Sequence, residues 1–371
     1  MRLALREMRR RPGRFAMATV ILTLIALLLM FLGGLLDGLI ANSTGALRAQ
    51  QADAIVYSAG SQNSLVRSRI EPDVRSAVEE LVGQDQVGGI GSIQLGGRLD
   101  DRGPRDLVPV VLFGYELAPN GLPDEPPATG EVYADESLQS EGVSEGTEIR
   151  LGPDRTALTI VGFIDDSQYS GQATLWGSVD TWREVVDANR PGSSTAEGVV
   201  QALVVRDGSS GSGSLPDEID EATDGATSSL TVDGAIEALP GVAQQRNTFN
   251  QIIGVTVIIA IVVVALFFAL LTVERTSLYG VLKAVGASSS TLFAGLVAQA
   301  VVVTLIASSV AAAASIALDA LIPAGSIPFS ATAPRLITSV VILMVAAIVG
   351  CSFSLRRVLK VDPAAAIGGG S

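Results

Sequence analysis

The sequence predicts an α-helical membrane protein with four transmembrane helices and a mixed α/β domain inserted between the first and second helix. The chain has 371 residues, of which 48% are hydrophobic and 17% are charged, whereas soluble domains average about 25% charged residues. Its mean hydropathy of +0.44 also indicates a membrane protein. The apolar residues form four long runs, and a polar block of roughly 210 residues separates the first run from the second.

Each apolar run is long enough to cross a bilayer as a helix, which takes about 20 residues. The predicted spans are 15–40, 251–273, 291–322 and 336–355. The first run follows basic residues, as a signal peptide does. It is 26 residues long and lacks a small-x-small cleavage site, so we expect it to remain as an anchor.

The distribution of charge predicts the orientation. Residues 41–250 contain 33 acidic and 13 basic residues, and the rest of the chain contains 5 acidic and 12 basic residues. Because basic loops stay in the cytoplasm, we place segments 1–14, 274–290 and 356–371 on the cytoplasmic side. The acidic domain 41–250 and the loop 323–335 are then extracellular.

The inserted block has the pattern of a mixed α/β domain. Strands rich in Val and Ile are predicted at 53–59, 107–117, 147–151, 158–164 and 199–205. Apolar residues at helical spacing predict helices over 71–82 and 180–187. A Gly/Ser linker at 208–214 precedes a predicted helix over 216–239, which returns the chain to the second span.

Several chemistries are excluded by composition. The chain has no histidine and one cysteine, Cys351, which removes His-based catalysis, His-based zinc sites and internal disulfides. No Walker A loop is present, because Lys283 follows Leu282 and Lys360 follows Leu359. We therefore expect no catalytic residue, no metal site and no ATP site of this type in the chain.

The connection between the second and third spans is amphipathic. Leu278, Val281, Leu282 and Val285 fall at helical spacing, with basic residues around them. This pattern is typical of a helix lying on the inner leaflet and equally of a short helix docked in another protein's groove. Periodicity alone leaves both open.

The same connection, ERTSLYGVLKAVGAS over 274–288, is similar to the signature of FtsX/MacB-type ABC transporter permeases. Residues 3–14 and the ending KVDPAAAI over 360–367 also resemble that family. The resemblance implies a bacterial cell-membrane protein, with two permeases and two copies of a separate ATPase that binds Mg-ATP. It also implies a coupling helix on the ATPase, whose contact residues are Glu274, Arg275, Leu278, Tyr279, Gly280, Leu282, Lys283 and Gly286.

Within the family, the opening LALREMRRRPGRF over 3–15 and DAIVYS over 53–58 look most like the four-span haem-exporting permeases of the HrtB type. The resemblance implies that haem is the transported ligand and that the chain holds no resident cofactor. Two alternatives stay open. In the first, the chain is an exporter whose cargo is a macrolide, peptide, glycolipid or lipoprotein. In the second, the chain is not a transporter and transmits force to an extracellular hydrolase, as FtsX does.

The spacing of glycines in the first span predicts close helix packing. Gly34 and Gly38 form a GxxxG spacing, which lets helices approach closely in lipid. Such glycines either ease packing within one chain or form a seam between two copies. Because the resembled family works as paired permeases, we predict a homodimer interface at these two residues.

Candidate cargo residues lie in the outer half of the first span, near the extracellular ends of the first two spans, and in the inserted domain. With histidine absent, the remaining haem donors are Met, Tyr and Cys. Cys351 lies near the cytoplasmic end of the fourth span, which is a poor position for releasing haem outward. The candidates are Met30, Asp37, Tyr57, Glu237, Arg246, Asn247 and Phe249. Each has an ordinary alternative: Met30 and Tyr57 as packing residues, Asp37 as a solvated interface carboxylate, and Arg246 as a headgroup anchor instead of a partner for a haem carboxylate.

Overall fold

The computed structural model describes residues 12–99, 103, 105–190, 196–208, 214–274, 281, 285–286, 288–322 and 327–359. The chain forms two compact units, one of residues 39–245 and one of residues 1–38 with 246–371. We call them the inserted unit and the membrane unit. The predictions for segments 1–11 and 360–371, and for most of 274–290, lie outside the described residues.

Helices account for the whole of the described membrane unit apart from short connections. In chain order the α-helices are α1 (Pro12–Arg48), α2 (Pro72–Val82), α3 (Val179–Asn189), α4 (Leu215–Ala222), α5 (Val232–Ala238), α6 (Val242–Glu274), α7 (Ser289–Leu321) and α8 (Ala333–Leu359). Within the described residues, α1, α6, α7 and α8 are long and apolar enough to cross a membrane. The four predicted spans each fall on one of these helices.

The helices extend beyond the apolar runs. α1 continues eight residues past the predicted end at 40, and α6 begins nine residues before 251. Both extensions carry polar residues, which a hydropathy criterion counts as loop. The apolar residues of these extensions, such as Leu47 and Val242, are nonetheless buried in the inserted unit. This packing stabilises the helical conformation beyond the ends of the apolar runs.

Two apolar clusters hold the membrane unit together. One joins Phe15 and Leu22 of α1 with Phe268 of α6, Leu296 of α7 and Cys351 of α8. The other lies further along α1 and is built on alanines packed against larger side chains: Ala26, Leu29, Met30, Ala260, Ala311, Leu343 and Ala346. Small residues let these helices approach closely, and van der Waals packing is what holds helices together in lipid.

The inserted unit is built on a sheet of nine strands within the described residues. They are β1 (Ala54–Ser58), β2 (Val87–Leu99), β3 (Val108–Tyr115), β4 (Glu131–Asp135), β5 (Glu148–Leu151), β6 (Thr156–Ile164), β7 (Ala173–Ser178), β8 (Ala202–Val205) and β9 (Thr227–Leu230). Their order is β3-β7-β4-β6-β5-β2-β8-β1-β9, and β3 also pairs with β2. That extra pairing joins six strands into a ring of hydrogen-bonded neighbours.

Both faces of the sheet are buried. Along β3, Val110 and Leu112 point into one apolar cluster, and Val111 and Phe113 into the other. Trp182 of α3 belongs to the first cluster. Its ring lies where a Cβ on Gly91 of β2 would be, at about 2.4–2.6 Å from that position. Glycine in β2 therefore makes room for the helix that covers the sheet.

The five predicted strands correspond to β1, β3, β5, β6 and β8, and the two predicted helices of 71–82 and 180–187 to α2 and α3. Four strands, β2, β4, β7 and β9, were not predicted. The single helix expected over 216–239 is wrong: this stretch folds as α4, β9 and α5. β9 exists because Thr227–Leu230 pairs antiparallel with β1, a contact between distant parts of the chain.

Candidate functional site

An ion pair joins α1 to the start of α8 in the membrane unit. Arg335 Nε donates to Asp37 Oδ2 at 2.8 Å, and Arg335 Nη2 donates to Asp37 Oδ1. The two side chains are 27% and 25% exposed. Asp37 thus lies in a two-bond pair with an arginine, so the alternative of a merely solvated interface carboxylate is wrong, and its role as a cargo residue stays a prediction.

The three glycines on this part of α1 make room for the chain that precedes α8. A Cβ on Gly33 would lie 2.7 Å from Arg335 Cδ, and one on Gly34 would lie 2.5 Å from Phe329 Cε2. A Cβ on Gly38 would overlap the backbone carbonyl of Pro328. Phe329 also stacks on Phe31 of α1, with ring centroids 5.4 Å apart. We call Gly33, Gly34, Asp37 and Gly38 with residues 328–335 the α1–α8 clasp.

This arrangement uses the GxxxG spacing within one chain. The face of α1 that carries Gly34 and Gly38 is covered by Pro328, Phe329 and Ser330. Close approach at these glycines is therefore made by the chain itself, which corrects our assignment of the two residues to a seam between copies.

Met30 lies inside the membrane unit. It is 1% exposed and belongs to the cluster that includes Leu29, Ala260 and Leu343. Its thioether is therefore packed among apolar side chains of α1, α6 and α8. The sulfur can reach a ligand only if these helices separate.

The first turns of α6 carry the polar candidates of the membrane unit. Arg246 and Phe249 are half-buried, and Asn247 is exposed. They lie near the N-terminus of α6, which directly follows the inserted unit in the sequence, and they precede the apolar run of this helix. An arginine and an aromatic ring three residues apart share one side of a helix, which is a suitable pair for a flat ligand with carboxylates.

Two further candidates lie in the inserted unit and differ in exposure. Tyr57 of β1 is 1% exposed in the core that contains Ile55, Phe113 and Trp176. Burial, with a smaller contribution from Tyr169, raises the pKa of the Tyr57 phenol well above its usual value. A phenolate ligand is disfavoured there, and the contacts of Tyr57 are those of a packing residue. Glu237 is exposed on α5.

The last turns of α1 are held by a loop of the inserted unit. Arg48 forms two hydrogen bonds with Asp166, at 2.9 and 2.7 Å. Backbone bonds run from Ala46 N to Gln168 O and from Gly171 N to Asn42 O. The segment 165–172 therefore follows the end of α1 over two helical turns.

Of the predicted coupling residues, Glu274 and Gly286 are described. Glu274 is the exposed last residue of α6, and Gly286 has a φ of +102° that favours glycine. Arg275, Leu278, Tyr279, Gly280, Leu282 and Lys283 lie outside the described residues. Among the residues that are described, no group of three or more Asp, Glu or Cys could hold a metal ion.

Sequence reasoning missed Arg335. One signal was present: it is a basic residue at the edge of a span on the side predicted to be extracellular, where arginine is uncommon. Asp37 lies at the predicted extracellular end of the first span. Two opposite charges at one membrane level are expected to pair, although 298 residues separate them.

Comparison with known proteins defines the class. Residues 250–363 match the family of FtsX-like permease C-terminal domains. The chain thus carries an FtsX-like permease domain after its inserted unit. In the part of the chain that the structure describes, it has four helices long and apolar enough to cross a membrane, with a mixed α/β domain between the first two, and it is similar over its full length to ABC transporter permeases.

The full-length relatives are more specific. The chain is 24% identical over 375 residues to the hemin transport system permease protein HrtB of Staphylococcus epidermidis, with all of both chains covered. It is 25% identical to an ABC transporter permease of Mycobacterium tuberculosis, with 99% of each chain covered. The extracellular domain of the ABC-type transporter YknZ covers 48% of this chain and is 9% identical, at a TM-score of 0.32.

Proposed function

We propose that this chain is the permease subunit of an efflux system that exports haem, driven by a separate ATPase. The proposal is carried by the similarity to a hemin transport permease, which spans the full length of both chains. Haem is flat, largely apolar and edged with two carboxylates. Such a cargo partitions into the membrane and can be taken up between helices without an aqueous channel.

Coupling to an ATPase is proposed for residues 274–288. The sequence contains no Gly-Lys-Ser or Gly-Lys-Thr, so it has no phosphate loop of the Walker A type. This segment joins α6 to α7 in the sequence, and its basic residues, like the arginines of segment 1–14, favour the cytoplasmic side. ATP-driven closure of two ATPases would push on this segment and bring the helices together.

The cargo site is proposed between α1 and α6 near their extracellular ends. Arg246 supplies a cation for a haem carboxylate, with Asn247 and Phe249 beside it on α6. Met30 becomes available as an axial donor when α1 and α6 move apart, because it is buried between these helices in the present arrangement. Binding is thereby linked to helix separation, and expulsion to closure. Glu237 is a further carboxylate candidate, and Tyr57 is set aside.

We propose a homodimer whose seam runs along α1 and α6, away from the glycines of the clasp. Both helices expose apolar rows: Leu24 and Leu28 on α1, and Val255, Ile258, Val262 and Leu266 on α6. Rows at this spacing face one direction on a helix. Such apolar rows can face either lipid or a second copy of the chain. Measuring the oligomeric state in detergent and in nanodiscs distinguishes these two possibilities.

The experiment is a titration of the purified chain with haemin, followed by the Soret absorption band. We expect a saturable shift that Met30→Ala alters and that the matched control Met17→Ala, on the exposed side of α1, leaves unchanged. Arg246→Gln should weaken binding and leave the position of the band unchanged, because a carboxylate contact does not touch the iron. The absence of a saturable shift in both detergent and nanodiscs would refute haem as the cargo.

A second candidate function is force transmission to an extracellular hydrolase. The observation in its favour is the continuous helix α1, whose last turns are bonded to loop 165–172 through Arg48 and Asp166. A deletion strain separates the two functions. Sensitivity to haemin that the wild-type chain reverses supports export, and a defect in cell-wall cleavage without such sensitivity supports force transmission.

A further inference from the structure

Three hydroxyl groups are buried along one side of α7 in the membrane unit. They belong to Thr304, Ser308 and Ser315, each of which is no more than 2% exposed. The hydroxyl oxygen of each is inaccessible from the surface and has no hydrogen-bond partner among the described residues. A buried polar group without a partner costs free energy, and the large majority of buried polar groups in native proteins are bonded. These three hydroxyls therefore require an explanation.

Hydroxyls at other positions of the membrane helices are bonded within their own helix. Thr19 of α1, Thr256 of α6 and Ser352 of α8 each donate to the carbonyl oxygen four residues earlier, at 2.7–2.9 Å. This bond to the preceding turn is a common way in which a helix satisfies serine and threonine away from water. The three hydroxyls of α7 are not turned back in this way. Each is therefore available to a partner outside its own helix.

The three residues form a row on the inner side of α7. At about 3.6 residues per turn, Thr304, Ser308 and Ser315 lie within about 40° of one another and extend over about 16 Å of the helix. Ala311, one turn from both serines, is packed in the cluster that contains Met30 of α1. This side of α7 therefore faces the other helices of the membrane unit. We call Thr304, Ser308 and Ser315 the α7 hydroxyl row.

The row begins near the middle of its span and continues toward one end. Ser308 is close to the midpoint of the predicted span 291–322, and Ser315 is six residues before the end of α7 at Leu321. This end precedes the loop 323–335, which the distribution of charge predicts to be extracellular. Uptake of a cargo from lipid needs no water, whereas its release outside does. The row lies along the half of the span where that release would take place.

We propose that the α7 hydroxyl row lines a water-accessible path that opens toward the extracellular side during the transport cycle. In the packed state the hydroxyls are buried and unbonded, and in the open state water is their hydrogen-bond partner. Hydration lowers the free energy of the open state relative to the packed state, because each hydroxyl gains a partner only there. This inference rests on the proposed ATP-driven movement of the helices, but it does not depend on haem as the cargo.

The test measures the reactivity of cysteines placed on α7. Ser308→Cys and Ser315→Cys exchange a hydroxyl for a thiol of similar size, and Ser309→Cys, exposed on the outer surface of the same helix, is the matched control. The wild-type chain gives the background, because its one cysteine, Cys351, is buried. The permease and its ATPase in nanodiscs are treated with a small charged methanethiosulfonate, which modifies thiolates in contact with water. Rates are compared without nucleotide, with Mg-ATP, and with Mg-ATP and vanadate.

We expect Ser308→Cys and Ser315→Cys to react several-fold faster in one nucleotide state than in another. Ser309→Cys should stay slow in every state, because its thiol faces lipid. In intact cells the reagent, which does not cross the membrane, should reach Ser315→Cys from outside.

A second set of variants tests the hydroxyls themselves. A serine can be present only because it is small, since small side chains let helices approach closely in lipid, and alanine would then serve equally well. Adding Ser308→Ala to Ser315→Cys should lower the fast rate several-fold, whereas adding Ser309→Ala should not. Ser308→Ala alone should leave the unfolding temperature unchanged or slightly raised, because it removes a buried hydroxyl that has no partner.

Several results would overturn the proposal. Rates at Ser308→Cys and Ser315→Cys that match Ser309→Cys, or that are the same in every nucleotide state, would mean that no gated path reaches the row. A fast rate that Ser308→Ala does not change would reduce that serine to a small packing residue. A lower unfolding temperature for Ser308→Ala would mean that its hydroxyl is bonded in the packed state. State-dependent labelling without any movement of haemin would refute haem export and leave the path in place.

Discussion

Asp37 of α1 and Arg335 of α8 form a two-bond ion pair within the membrane unit, with the Arg335 stem lying over Gly33. An aspartate at this depth would be costly alone. The pair satisfies both charges, and the glycines allow the arginine and the preceding loop to lie against α1. This clasp fixes α1 to α8, so α1 is not free to move by itself at its extracellular end.

The ion pair should contribute to stability as a unit. Asp37→Asn or Arg335→Gln leaves a charged partner without its counterion, so each single variant should lose about 1–3 kcal/mol of unfolding free energy. The double variant should lose less than the sum of the two. Thermal unfolding in detergent measures this, and strictly additive losses would show that the two side chains do not interact.

The glycines of the clasp should differ in their tolerance of alanine. Gly38→Ala meets the Pro328 backbone and should be strongly destabilising, whereas at Gly34 the nearest atom belongs to the Phe329 side chain, which can move. Gly254→Ala in α6 is the control, because its Cβ meets nothing within 4 Å, and it should be neutral or slightly stabilising. If Gly38→Ala instead left stability intact and changed only the oligomeric state, the glycines would belong to a dimer seam after all.

The bonds between α1 and loop 165–172 should depend more on backbone fit than on charge. Arg48 and Asp166 are 39% and 58% exposed, so Asp166→Asn should cost no more than about 1 kcal/mol. Gly45→Ala should cost more, because its Cβ would lie 2.5 Å from the Asp166 carbonyl oxygen. Hydrogen exchange of Gln168 and Gly171 in the full chain reports the loop. Equal effects of the two variants would contradict this ranking.

Buried tyrosines should make the extracellular domain sensitive to alkali. Burial raises the pKa of Tyr115 and of Tyr169 to about 12 in each case, against about 10 in an unfolded chain. Between pH 10 and 12 the folded state therefore holds more protons than the unfolded state, and stability falls as pH rises through that window.

Tyr169→Phe is the variant that checks this prediction. It keeps the edge-to-face contact with Phe113, whose ring centroid is 5.2 Å away, and removes one titrating group. Its unfolding temperature should fall less steeply than that of the wild type between pH 10 and 12, with little difference at pH 8. Parallel curves over the whole range would mean that Tyr169 does not titrate with unfolding.

The membrane helices could be predicted because length and hydropathy define a span directly. Strands β1, β3, β5 and β6 carry their own Val- and Ile-rich pattern. β2 does not, since five of its thirteen residues are glycine. Its glycines are explained by neighbours such as Trp182 on Gly91, and that contact involves residues far apart in sequence.

Some residues of the candidate site could also be predicted from the sequence, and others could not. Asp37, Arg246 and Phe249 could be placed near the extracellular ends of their helices by counting residues. The partner of Asp37 could not be found by local pattern, because Arg335 is distant in sequence and its pairing depends on how α8 packs on α1. Burial of Met30 and Tyr57 likewise follows from tertiary packing.

Transport itself is the most direct test of the central proposal. The permease, purified with the ATPase that accompanies it, is reconstituted into vesicles with haemin in the membrane, and haemin is followed with a haem-binding protein on the extracellular side. We predict transfer that requires Mg-ATP and is reduced by Arg246→Gln and Met30→Ala but not by Met17→Ala. ATP hydrolysis that proceeds normally with no ATP-dependent movement of haemin would contradict haem export.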